Sequence, residues 1–152
     1  MGINKLIIMS YFSIEELCKS DTAKKYKIPN IPNEAEKRSL QRLIDNVLDP
    51  AREILGKPIT VSSGFRCKKL NEKVGGSNTS QHVKGEAADL QTYDCMYLFK
   101  LIRDNLIFDQ LIYETKEIVK GGKIIGITTW AHVSFSDNNR NQAFRMHNGK
   151  KI

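Results

Sequence analysis

No apolar run in this chain approaches the roughly 20 residues that span a bilayer. The N-terminal stretch MGINKLIIMSYF has one lysine and too short an apolar core for a secretory leader, which needs about 7–15 apolar residues and a small-residue cleavage site. The expectation is a protein that is cytoplasmic as synthesised and has no membrane partner. Cysteine is scarce: Cys18, Cys67 and Cys95 are an odd number with no CxxC spacing, which excludes a full disulfide framework and favours a reducing compartment. Cys67 adjoins Arg66, but no matching histidine spacing accompanies it, so it reads as an ordinary thiol. No block of five like charges occurs, and no nucleic-acid motif accompanies the net charge of +7. That charge fits either an anionic partner such as a wall polymer or simply a basic, soluble surface. There is no internal repeat and no low-complexity segment. A length of 152 residues, 40% hydrophobic and 27% charged, suits one globular domain with a real core.

The stretch 62–90, SSGFRCKKLNEKVGGSNTSQHVKGEAADL, concentrates polar chemistry and has few apolar residues. His82 and Asp89 lie seven apart with Gly85 between them, and a glycine there permits the positive φ of a tight reversal. Imidazole plus carboxylate is a zinc-type donor pair. Asp89 stands in an otherwise apolar Ala87-Ala88-Asp89-Leu90 run, where a carboxylate needs a strong partner such as an arginine or a cation.

Capping and periodicity outline the remaining elements. Ser13 with Glu16 predicts a short helix ending near residue 20, and Pro29 and Pro32 predict an extended connector over 26–33. Asn33 with Glu36 predicts the start of a long helix over 33–56. Its inward face comprises Leu40, Leu43, Ile44, Val47, Leu48, Ala51, Ile54 and Leu55, with a kink at Pro50 and a stop at Gly56. A strand over 59–62 delivers Arg66, two helical turns follow over 68–74, and 77–84 reads as polar loop. A short strand over 87–90, a helix capped by Asp94 and a strand over 108–114 come next. A turn at Gly121-Gly122 and a possible partner strand over 123–128 precede the clearest alternation, 130–135. In that last run Trp130, His132 and Ser134 share one face. Beyond Asp137 the reading is a loosely held basic tail with His147 exposed to solvent. Helices followed by strands with few crossovers predict an α+β fold, a largely antiparallel sheet packed against helices.

Ser80-x-His82-x-x-Gly85-x-Ala87-x-Asp89 resembles the first signature of the zinc D-alanyl-D-alanine peptidases of the M15 family, which include phage endolysin peptidases and vancomycin-resistance dipeptidases. Ser63-Gly64-Phe65-Arg66 resembles the arginine motif before it, and Trp130-Ala131-His132 the motif with the third ligand. The resemblance covers about residues 12–140. It implies one zinc peptidase domain over 1–152, with 141–152 as a tail, and the fold shared with hedgehog signalling domains. It also implies one Zn²⁺ per chain, held by His82, Asp89 and His132, in a monomer that cuts peptidoglycan stem peptides as a carboxypeptidase or endopeptidase. Such an enzyme would reach the wall after release or within a phage particle. Arg66 would anchor a substrate carboxylate through its planar fork. Ser80 and Gln81 would donate hydrogen bonds to the substrate or to a ligand carboxylate, and Trp130 is a pocket wall or a core residue.

Many such relatives carry a carboxylate three residues before the last histidine, whereas this chain has Thr129. Either Glu114, at the end of a neighbouring strand, is the general acid/base, or the site is inactive and the chain is a non-catalytic zinc domain with a structural or partner-binding role.

Overall fold

A computed structural model describes residues 10–152. Its elements in chain order are α1 (Ile14–Leu17), α2 (Asp21–Lys25), α3 (Glu34–Leu43), a π-helical turn (Ile44–Leu48), α4 (Asp49–Leu55), β1 (Thr60–Ser63), α5 (Lys68–Lys73), a 3₁₀ turn (Gln81–Lys84), β2 (Ala87–Gln91), α6 (Cys95–Asn105), β3 (Gln110–Lys120), β4 (Lys123–Ser134), β5 (Gln142–His147) and β6 (Lys150–Lys151). Six strands form one sheet in the order β1-β2-β4-β3-β5-β6. Every neighbouring pair is antiparallel except β3 and β5, which run parallel. The chain is therefore α+β with a largely antiparallel sheet. Among the described residues no helix is long and apolar enough to cross a membrane.

The long helix begins as its sequence dictates. The Asn33 side chain accepts from the Glu36 N–H while Glu36 reaches back to the Asn33 N–H. Its interruption is a π turn rather than a simple kink. Pro50 has no N–H to donate to the Asn46 carbonyl, and the turn before it widens to take one extra residue. That residue shifts the helical phase, so of the two residues expected inward Leu55 stays on the core face and Ile54 turns outward. Leu55 is buried and Ile54 is 51% exposed, a correction to the expected apolar face. The helix ends at Gly56 in the left-handed region.

Leu40, Leu43, Ile44, Val47, Leu48 and Ala51 pack with Leu98 and Ile102 of α6 against Ala88, Leu90, Leu111, Ala131 and Val133 of the sheet. Strand alternation sends the intervening residues, Asp89, Ile112, Glu114, Trp130 and His132, to the opposite face. One face of the sheet thus makes the core and the other makes the site.

The structure corrects several expectations. The expected loose tail forms β5 and β6, because β5 pairs along β3 from Gln110↔Gln142 to Thr115↔His147. His147 is half-buried and its Nδ1 lies 2.8 Å from Thr115 Oγ1, so it is not a free surface side chain. The two expected strands over 123–128 and 130–135 are the single strand β4, paired with β3 from Lys120↔Lys123 to Leu111↔Val133. The 77–84 loop ends in a 3₁₀ turn, and Ser20 caps the additional short helix α2.

Candidate metal centre

His82, Asp89 and His132 come from three different elements. Antiparallel pairing of β2 with β4 sets Asp89 directly opposite His132. His82 arrives from the 3₁₀ turn, which Ser80 caps by accepting the His82 N–H at 3.3 Å. Gly85 ends that turn at φ +72°, and a Cβ there would sit 2.6 Å from the Glu36 carbonyl oxygen of α3. No other residue fits both the backbone and the space. The His82 Nδ1 lies 2.7 Å from the Gly64 carbonyl oxygen; donation to that oxygen fixes the tautomer and leaves Nε2 free. Gly64 is itself required, since a Cβ would lie 2.2 Å from the Leu17 carbonyl oxygen.

The His82 Nε2 lies 3.4 Å from Asp89 Oδ1, and the His132 Nδ1 lies 3.0 Å from the same oxygen. The imidazole rings meet edge-on with centroids 5.2 Å apart. One ligand atom from each residue lies within 4.8 Å of the other two. Two imidazoles and a carboxylate at this separation match the three-ligand donor set of catalytic zinc. Burial disfavours the Asp89 carboxylate's charge, but contacts with His132 and His82 outweigh it and hold Asp89 well below the ordinary carboxylate range.

Arg66 flanks this cluster. Asn30 ties its loop down, donating to the Cys18 and Phe65 carbonyls and accepting the Cys67 N–H. The Arg66 N–H donates to the His82 carbonyl, which couples the two loops. Its guanidinium is distributed: Nε donates to Ser63 Oγ at 3.0 Å, Nη1 to Asn71 Oδ1 at 3.2 Å, and Nη2 lies 3.7 Å from Asp89 Oδ2. Burial lowers its pKa, and the charges of Asp89 and Glu114 oppose that shift.

Glu114 pairs with Trp130 one step along from the Ile112–His132 pair, on the face that carries the histidine. Trp130 Nε1 donates to Glu114 Oε2 at 2.9 Å. Trp130 is therefore a half-buried groove wall rather than a core residue. Burial pushes the Glu114 carboxyl above its ordinary value and the Asp89 charge adds to this, against the pull of His132, Trp130 and Arg66. Thr129 has the other parity on β4, pairs with Thr115, and lies on the face away from His132.

The Gln81 amide nitrogen is engaged outside the His82–Asp89–His132 cluster: Nε2 donates to Asp109 Oδ2 at 2.8 Å. Asp109, which the motifs do not single out, is buried and joins three segments. Besides Gln81, it accepts from the Arg140 N–H at 3.1 Å, from Nε at 2.7 Å and from Nη2 at 2.9 Å. It thereby locks the His82 turn to the start of β3 and to the loop before β5. A lone carboxylate between Phe108 and Gln110, heading an apolar strand, is the same signal that marks Asp89.

The Arg140 hydrogen bonds are the largest cause lowering the Asp109 pKa from 3.8 to about 2. Its stabilisation is therefore complete above about pH 4 and lost as the pH falls through the folded value. Asp109→Asn should destabilise the protein by about 2 kcal/mol at neutral pH, with the gap to the parent closing towards pH 2. Urea unfolding across that range tests this, and an equal gap at all pH values would show that the charge is not what holds the junction.

A zinc D-Ala-D-Ala carboxypeptidase of Streptomyces albus G is 50% identical to this chain over 44 residues, 28% of this chain and 17% of that protein. The match thus takes in less than a fifth of that relative's own length. The sequence pattern of the Peptidase M15 family matches residues 10–120, which include His82, Asp89, Arg66 and Glu114. With most of its length inside that match, the chain belongs to the Peptidase M15 family.

Proposed function

We propose that this chain is a zinc metallopeptidase that hydrolyses a peptide bond in peptidoglycan stem peptides. The convergence of His82, Asp89 and His132 within 4.8 Å, beside Arg66 and Glu114, carries the reading. His82 through Nε2, His132 through Nδ1 and Asp89 through Oδ1 would hold one Zn²⁺. When bound, zinc supplies a Lewis acid for the scissile carbonyl and lowers the pKa of its water to about 7. Glu114, steadied by Trp130 and with its proton affinity raised by burial, takes a proton from the attacking water and returns it to the leaving amine. Arg66 holds the substrate carboxylate with the N–H groups that Ser63, Asn71 and Asp89 leave free. Ser80 braces the His82 turn and keeps its hydroxyl proton for substrate, while Gln81 acts through Asp109.

The fold is read as that of the hedgehog and D-Ala-D-Ala peptidase group, in one domain over 1–152 acting as a monomer. In this reading the chain is a phage-derived lysis or tail enzyme. Its test is amine release from purified peptidoglycan by zinc-loaded protein. Release that chelation stops and added zinc restores supports the peptidase. Stoichiometric zinc without release from any wall type makes the chain a non-catalytic zinc domain.

Arg66→Lys keeps the charge and loses the fork, so KM is expected to rise at least about tenfold with the melting temperature little changed. An unfolded variant would make Arg66 a brace for Asn71 and Ser63 alone. Unchanged kinetics would remove it from substrate binding.

A further inference from the structure

The candidate site follows the strand order of the sheet. Arg66 lies just past the end of β1, Asp89 is on β2, His132 on β4 and Glu114 on β3. From β1 to β3 is three strand spacings, about 14 Å, the reach of roughly four extended residues. A peptide whose carboxylate sits at Arg66 and whose scissile bond lies at the metal centre therefore continues, on its amino side, past Glu114.

A groove of about 450 Å³ lies there, bounded by Glu114, Trp130, Lys116, Val119 and the β5–β6 turn at Asn148 and Gly149. That volume is in the range of small-ligand sites. Glu114 at its inner end is engaged by Trp130. Glu117 also borders the groove, but its carboxylate is turned to His147, with Oε1 3.5 Å from Nε2. Lys116 has no carboxylate within 4 Å among the described residues. The groove thus offers an indole wall, an aliphatic wall and one unpaired ammonium.

We propose that this groove holds the substrate on the amino side of the scissile bond, and that Lys116 selects a carboxylate-bearing residue there. The inference rests on the peptidase reading for its direction along the sheet, but its test does not need turnover. Trp130 is the single tryptophan of the chain, so intrinsic fluorescence reports occupation of the groove directly.

The probes are three acetylated tripeptides, each ending in D-Ala-D-Ala and carrying glutamate, glutamine or lysine in first place. They are titrated against zinc-loaded protein by stopped-flow fluorescence, before turnover depletes them. The parent should bind the glutamate peptide roughly fivefold tighter than the glutamine one and more weakly still with lysine. Lys116→Glu, a change at an exposed position whose fold circular dichroism verifies, should invert the order. The same order in both proteins, or no fluorescence response to any peptide, overturns the proposal. Charge-ordered binding without wall hydrolysis keeps the groove and discards the peptidase; hydrolysis without charge order does the reverse.

Discussion

Glu114→Gln is expected to lower kcat by roughly 10²–10⁴-fold while zinc content stays near one per chain. The change preserves shape and the hydrogen bond from Trp130 Nε1, because the amide oxygen still accepts it. It removes only the capacity to carry a proton. Among the described residues no alternative carrier is at hand. Asp89 lies between both imidazoles, Thr129 lies on the far face of β4, and His147 is occupied with Thr115 beyond β3. Single-turnover hydrolysis of peptidoglycan fragments, with metal analysis of the same samples, separates loss of base from loss of metal. If the variant keeps more than about a tenth of the parental kcat, another group or water carries the proton.

His132→Ala is expected to reduce bound zinc from about one per chain to below about a tenth after dialysis against a mild chelator. Two ligands, His82 and Asp89, would remain, too few for a catalytic zinc site. The fold should survive, because His132 stands on the sheet face away from the helices with its side chain 14% exposed. His147→Ala is the control and should leave the zinc untouched. Full zinc in a folded His132→Ala protein would place the third ligand elsewhere.

Much of the candidate site is legible in the sequence because its signals are local or chemically costly. A carboxylate between Ala88 and Leu90 cannot be left unpaired, and Gly85 marks the reversal that carries His82. Alternation of residues 130–135 is enough to put His132 and Trp130 on one face. What escapes depends on pairing across the chain. The stretch over 142–147 follows the polar run 136–141 and carries only Phe144 and Met146 as large apolar residues, so it does not announce a strand, and it becomes one because it pairs along the edge of β3. Asp109 gains its meaning only where Arg140 and Gln81 converge on it. Arg66 reads in the sequence as a free fork, yet Ser63 and Asn71, three and five residues away, take up part of it. Ile54 falls on the wrong face because periodicity presumes 3.6 residues per turn throughout, and the π turn before Pro50 breaks that count.

The hairpin formed by the outer halves of β3 and β4 bears on solubility. β2 pairs with β4 only over 131–134, and β5 pairs with β3 only over 110–115, so beyond Glu117, whose N–H donates to Asn148 Oδ1, both edges of the hairpin are open. Ile118, Val119, Ile124, Ile125 and Ile127 are each at least 45% exposed there. Branched apolar residues on open strand edges are a template for cross-chain pairing. Lys116, Lys120 and Lys123 punctuate the segment, and like charges on such an edge disfavour the pairing of two hairpins. Acetylating these lysines removes their charge without touching the core, and is expected to raise self-association.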